Sequence, residues 1–328
     1  MSAHKLKHVS ASGSCHRDTG ALLSRRLAPL NRAIGQRCNM ASHKKQPRQT
    51  TQDEKLRRAR GGRGITEHEV ESVKEMSTPR TPVIYEVVRR QGVEEMKRPA
   101  TSLWWSGIAG GLSMSFSVLA QATLEVHLPD TSWRILVAGL GYSVGFLMTI
   151  LARQQLFTES TITVVLPVLK ELTWSNVWRM LRLWIIVLVA NLIGTLIAAM
   201  FCRYSPVLPD ALFASMIELS RTLLPLTWWQ MSFHAVSAGF LIAAMVWMIP
   251  TSENQQFIVI TLMSWLIAVT GAVHIVAGSM EAYLLALAGE WAWWQVITQF
   301  VIPVLLGNIV GGTALFALIS YAQVMKEI

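Results

Sequence analysis

The chain has 328 residues, of which 52% are hydrophobic and only 15% charged, with 13 Trp among them. Water-soluble domains carry about a quarter charged residues, so the composition argues against an ordinary soluble enzyme. The charge is unevenly placed: residues 1–98 hold 21 Lys/Arg against 10 Asp/Glu, and the remaining 230 residues hold 8 against 10. The formal charge of +9 therefore belongs to an N-terminal tail, and the rest is a nearly neutral apolar body of the kind that lives in a membrane.

Residues 1–65 are rich in Arg, Lys, Ser, Gln and Gly, with Asp18 the only acid before Asp53. Such a composition cannot offset the entropy of ordering a chain, so residues 1–79 are expected to form a disordered, basic cytoplasmic tail. The run Lys55, Arg57, Arg58, Arg60 and Arg63 reads as a solvated face or as a patch for anionic lipid or nucleic acid. The solvated face is preferred, and no nucleic-acid partner is expected. The first 30 residues lack the apolar stretch of a cleavable signal peptide, and Met40 is an alternative translation start. Residues 80–98 differ: Val83, Ile84, Val87, Val88 and Met96 fall near one helical face. That pattern predicts a short amphipathic helix on the membrane surface.

The transporter-like body is placed at residues 99–325. A bilayer core ~30 Å thick needs about 20 helical residues, and residues 103–124, 177–201, 232–249 and 295–321 fit directly. Two other apolar stretches, 134–169 and 257–288, are too long for one straight span, at about 54 and about 48 Å respectively. Each is interrupted near its centre, by Arg153–Glu159 in the first and by Thr270–His274 in the second. Two broken helices, each a pair of half-spans joined at membrane depth, are the economical reading; irregular backbone survives there only against protein or a watery cavity.

The order span, broken span, span then occurs twice, over about 99–201 and 225–325. Asn191-Leu-Ile-Gly194-Thr195 echoes Asn308-Ile-Val-Gly311-Gly312-Thr313; Thr158 precedes Asn191 by 33 residues, and His274 precedes Asn308 by 34. An odd number of spans per copy means the second inserts upside down, so a 3+3 inverted repeat is expected, with substrate chemistry where the breaks meet. Lys/Arg bias puts both termini in the cytoplasm: the tail, Lys170, Arg179, Arg182 and Lys326 lie on one side, and only Arg134, Arg203 and Arg221 on the other. Trp104, Trp105, Trp228, Trp229, Trp291, Trp293 and Trp294 cluster at span ends as an aromatic belt against membrane lipids.

His274 is an ionisable group at membrane depth and a functional candidate by default. Burial favours a neutral imidazole and a neighbouring anion the charged form, so a small anion beside His274 would draw in a proton. Passed on to a weak-acid anion, that proton would let a neutral acid leave, making His274 a proton relay. A His that merely bonds a carbonyl of the break is the structural alternative. Thr158 stands where the second half of the first broken helix begins, as a donor facing His274 or as a plain cap. Glu159 caps the same half-helix or pairs with Arg153, and Leu156 and Phe157 form an apolar constriction. His127 and His234 are read as interfacial. The three cysteines, Cys15, Cys38 and Cys202, have no metal-ligand spacing, and no catalytic motif such as HExxH or a phosphate loop is present. Neither an enzyme nor a cofactor is expected.

These features together resemble the formate/nitrite transporter family. The resemblance rests on Leu156-Phe157-Thr158, Asn191-Leu-Ile-Gly194, Gly271 with His274, and Gly307-Asn308-Ile-Val-Gly311-Gly312, and covers residues 80–323. It implies an all-α, aquaporin-like protomer of six transmembrane helices, assembled as a homopentamer in a bacterial inner membrane, each subunit passing small monovalent anions. It also implies pore-lining apolar positions at Tyr142, Phe146, Phe157, Val246 and Ile267, with Thr158 and His274 as the central polar pair and Asn191 and Asn308 beside them. Where members often carry Glu before the central His and Asn four residues after it, this chain has Val273 and Gly278. Ala243 replaces an Asn of the fourth span, and Arg221 is the nearest base where a vestibule Lys is common. The resemblance is therefore to a divergent branch, and a facilitator of small neutral solutes is the alternative function.

Overall fold

The computed structural model describes residues 79–328, so the expectations for the basic tail and Met40 lie outside the described residues. Helix α1 (Thr81–Lys97) opens with a proline in its first turn and buries Tyr85, Val88, Gly92 and Met96. The apolar face differs from the sequence reading: Val83 and Val87 are exposed, because the helix docks edge-on against the protein through Tyr85, whose ring lies 5.9 Å from that of Tyr321. On its outer side Glu86 binds Arg89 and Arg90 at 2.8 Å, and these bonds hold its carboxyl down at about 2.

Five helices among the described residues are long and apolar enough to cross a membrane: α2 (Ala100–His127), α3 (Arg134–Leu151), α6 (Trp174–Tyr204), α8 (Trp228–Thr251) and α11 (Trp293–Val324). Four match the clean spans read from the sequence. The two long stretches are both broken. The first gives α3, α4 (Phe157–Thr163) and α5 (Val165–Lys170); the second gives α9 (Gln256–Val269) and α10 (Ile275–Leu287). The first break is off-centre, because α3 alone has 18 residues, about 27 Å. A further helix, α7 (Asp210–Ser220), connects the two halves outside the spans.

Both breaks end their helices in the same way. Gln154 N–H reaches back to Thr149 O and Ala272 N–H to Ile267 O, with Arg153 (φ 52°) and Gly271 (φ 66°) left-handed in between. This is the Schellman ending, which satisfies the last carbonyls of a helix. Glycine adopts that conformation freely; Arg153 does so at a steric cost.

Pro167 explains the further bend between α4 and α5. It cannot donate to the carbonyl of Thr163, and its ring crowds that oxygen, so the helix is interrupted at Val164. The freed Thr163 carbonyl faces Gly92 of α1, where a Cβ would collide with it. Small residues set the other close approaches. Gly111 lies against Asn191 and Gly194 where α2 crosses α6, and Gly239 against Asn308 where α8 crosses α11.

α2 packs on α6 and α3, and α8 packs on α11 and α9. The two short second halves cross over: α10 lies against α6, and α4 against α8 and α11. Trp105, Trp229, Trp293 and Trp294 are exposed at span ends, but Trp291 is buried in the core.

Candidate functional site

The two breaks are held by one device used twice. Asn191 Oδ1 accepts from Phe157 N–H at 2.9 Å, and its amide donates to Gly107 O at 2.7 Å and Gln155 O at 2.9 Å. Asn308 Oδ1 accepts from Ile275 N–H at 2.9 Å, and its amide donates to Ala235 O at 2.7 Å and Val273 O at 3.1 Å. Each therefore satisfies backbone groups that a broken helix leaves open inside a membrane. Both amide hydrogens are engaged and both residues are fully buried. The sequence reading placed these asparagines on the pore; their geometry makes them positioning residues that fix where α4 and α10 begin.

What the clamps position is a single contact. Thr158 Oγ1 and His274 Nε2 lie 2.7 Å apart, both side chains fully buried. His274 is also the N-cap of α10: Nδ1 accepts from Ala277 N–H at 3.2 Å. An accepting Nδ1 carries no proton, so the neutral ring bears its hydrogen on Nε2 and donates it to Thr158 Oγ1. The Thr158 hydroxyl hydrogen then has no further partner among the described residues. His274 thus bonds an amide and a hydroxyl rather than the carbonyl of the structural alternative. Thr158 is not a cap; it sits one residue inside α4, whose N-cap is Leu156. The Phe146 ring stands 5.1 Å from the imidazole, and Tyr142 stacks 5.5 Å beyond it.

α4 is too short to stand alone, and side chains take up its carbonyls and hydroxyls. Thr313 Oγ1 donates to Thr161 O and Thr161 Oγ1 to Thr158 O, both at 2.7 Å, while Trp184 Nε1 donates to Ser160 O at 3.1 Å.

Two cavities approach this contact. One, of about 310 Å³, reaches His274 past Tyr142, Glu281, Glu125 and His234. The other, of about 400 Å³, is bordered by Gln155, Glu159, Arg153, Arg98, Glu95 and Val246. Gln155 borders one cavity, and three residues later Thr158 bonds the wall of the other, so Leu156, Phe157 and Thr158 span the partition. Leu156 and Phe157 are buried, with Phe157 packed 5.8 Å from the ring of Trp184. Ile267 is buried and borders neither cavity.

Three features differ from the sequence reading or were missed by it. Glu159 neither caps α4 nor pairs with Arg153, since the carboxylate partners in the ion pairs among the described residues are Glu86, Asp130, Glu218 and Glu290. His234 is not merely interfacial: its Nδ1–H donates to Gly271 O at 2.8 Å, bracing the second break from α8. Glu281 and Glu125 had no role in the sequence reading, although the spacing of Glu281 seven residues after His274 places both on one face of α10.

Fold and site define an all-helical, multi-pass membrane protein in which two half-helices begin at one buried polar contact. The protein belongs to the formate/nitrite transporter family: residues 82–322 match the family profile described as formate/nitrite transporter. The chain is 42% identical over 248 residues to "Inner membrane protein YfdC" of Escherichia coli K12, covering 76% of this chain and 80% of that one. It is 27% identical to "Formate channel FocA" of Haemophilus influenzae over 66% of this chain and 84% of that protein. Among solved structures, "FNT family ion channel" superposes with a TM-score of 0.66 at 19% identity, covering 74% of this chain and 99% of that one. "Pentameric formate channel with formate bound" superposes with a TM-score of 0.59 at 21% identity, covering 69% and 98%. At those identities the likeness shows the shared fold.

Proposed function

We propose that the protein is a channel or transporter for small monovalent anions of weak acids, of formate or nitrite size. It works in a bacterial inner membrane as a homopentamer with one pore per subunit, and both termini are cytoplasmic. Family membership and the names of its relatives support the cargo class and the membrane. The likeness to a pentameric formate channel supports the assembly, and the Lys/Arg bias supports the orientation. The two asparagine clamps, each with the same set of bonds, support an inverted repeat.

The observation that carries the mechanism is the 2.7 Å contact between Thr158 and His274 at the partition of two cavities. A cargo passing Leu156, Phe157 and Phe146 sheds its water against apolar side chains, so only small species with compensating donors pass. The Thr158 hydroxyl, accepting from His274 Nε2–H, has its own hydrogen free for an anion. The N-terminus of α10 adds the partial positive charge of its helix dipole at the same depth, its Ile275 and Ala277 N–H groups being taken by Asn308 and His274. His274 acts here as a neutral donor. The proton-relay role raised from the sequence would require a second proton on Nδ1, which gives up the Ala277 cap.

Proteoliposome flux tests this. Thr158→Val is expected to lower formate and nitrite flux about tenfold, the worth of one charge-assisted hydrogen bond, while pentamers persist. His274→Ala should lower flux and loosen α10; His274→Asn, which keeps a cap acceptor, should restore assembly but not full flux. Unchanged flux in both Thr158→Val and His274→Ala would remove the pair from the mechanism. Glycerol passage without formate or nitrite passage would establish the neutral-solute facilitator instead.

A further inference from the structure

The cavity that ends on His274 has walls of one charge sign. Glu281 on α10 and Glu125 on α2 line it, with Gln121, Tyr142 and His234, and no Lys or Arg does so among the described residues. The cavity on the other side of the partition is mixed, with Arg98 and Arg153 set among Glu94, Glu95 and Glu159. His274, Gly278 and Glu281 follow one another along the cavity-facing stripe of α10, which puts Glu281 about 10 Å along the helix axis from His274. Glu281 takes part in no ion pair among the described residues.

Two bases outside the cavity lining, Arg134 and Arg221, have polar partners of their own. Arg134 donates to Glu125 O at 2.7 Å and pairs with Asp130 at 3.5 Å, and Arg221 is held by Glu218 and Glu290, each at 2.7 Å. The titratable groups that face Glu281 across the cavity are Glu125, Tyr142 and His234, with His274 on its own helix. On α6, the contact to α10 is a neutral hydroxyl pair, Thr195 with Ser279 at 2.7 Å. Arg134 is close enough to Glu125 to offset its charge in part, whereas no Lys or Arg among the described residues lines the cavity beside Glu281. An anion on its way to Thr158 therefore passes an uncompensated carboxylate there, and His274 cannot take up a proton while Nδ1 caps α10.

We infer that Glu281 is the proton-holding, specificity-determining residue of this cavity, which admits a small weak-acid anion only while that carboxyl carries its proton. A proton from the adjoining water neutralises the carboxylate, and the resulting O–H donates to the incoming anion. The anion then moves on towards Thr158 while the proton stays on Glu281, so an amide in its place imitates the admitting state. An ionised Glu281 repels the anion, so the same residue sets both the cargo's charge and the pH at which it is accepted. The inference rests on the anion-transport reading above.

The test uses the full chain in liposomes, with formate uptake measured between about pH 5 and pH 8 on the Glu281 side. The quantity read is the flux of Glu281→Gln divided by that of the wild type, which cancels the titration of formate itself. The ratio is expected to stay near one at the acidic end and to rise roughly tenfold at the alkaline end, where only the wild type carries a charge. A ratio that is flat with pH overturns the inference, whether the variant is as fast as the wild type or uniformly slower. Glu281→Met removes the same charge and gives the same readout if the amide variant does not assemble. Wild-type liposomes that pass neither formate nor nitrite at any pH would overturn the anion reading itself. Uptake of methylammonium that Glu281→Gln abolishes would mark the cavity as a cation site and overturn the inference.

Discussion

Replacing Asn308 with Ala removes three hydrogen bonds at once, leaving Ile275 N–H and the carbonyls of Ala235 and Val273 buried without partners. Interhelical hydrogen bonds in membrane proteins are each worth roughly 0.6 to 1.7 kcal/mol, so three sum to about 2–5 kcal/mol. Asn191→Ala removes the matching three, from Phe157 N–H, Gly107 O and Gln155 O, and is expected to cost the same within about 1 kcal/mol. For a body of this size, where 1 kcal/mol shifts the thermal midpoint by about 2–4 °C, the loss corresponds to a drop of roughly 4–20 °C. Fluorescence-detected size-exclusion of heated, detergent-solubilised protein measures it. Asn308→Asp keeps the acceptor for Ile275 but loses both donors and introduces a buried charge, so it should be no better than Ala. If either Ala variant melts within about 1 °C of the wild type yet loses flux, the asparagines contact cargo rather than clamp backbone, and the reasoning fails.

The helix endings give a paired prediction. Gly271→Ala puts a side chain at φ 66° with no neighbour within 4 Å to clash, so the cost, about 1 kcal/mol, is purely conformational. Arg153→Gly at φ 52° should raise stability by about 0.5 kcal/mol; thermal melts that move in the same direction for both would contradict the assignment. Gly92→Val drives a side chain into the Thr163 carbonyl and should undock α1, measurable as faster proteolysis near Lys97 with the spans intact. Burial raises the Glu95 carboxyl above its ordinary value despite the bond from Thr163 Oγ1 at 2.8 Å. A raised carboxyl binds its proton more tightly when folded, so stability is greatest below about pH 4.5 and falls as pH rises towards the folded value. Glu95→Gln should therefore stabilise the protein at neutral pH, with the gain vanishing as pH falls to about 4.5; a gain independent of pH would show that ionisation is not involved.

The breaks were legible because they violate a length rule. A 36-residue apolar stretch cannot be one span, and Arg153, Gln154 and Gln155 cannot sit in lipid without a reason. The meeting of Thr158 and His274 followed from the matched distances of these residues to Asn191 and Asn308. The asparagines' own task did not, because a buried amide reads in sequence as a polar pore residue until its partners are seen to be backbone. The docking face of α1 was misread for a related reason: periodicity finds an apolar stripe but not which flank of it meets protein and which meets lipid. Pro167 was visible throughout, but its consequence, a free carbonyl waiting for Gly92, exists only when the two segments are adjacent.

Sequence alone therefore determined the solvent, the clean spans and the places of the two breaks, since apolar run lengths and interruptions are properties of the chain read along itself. Tertiary structure decided the protonation pattern and the electrostatics of the passage. Which nitrogen of His274 is free depends on an N–H three residues away, and whether Glu281 meets a cation depends on where Arg134 and Arg221 find their partners. Those are contacts through space, between groups that no local pattern ties together.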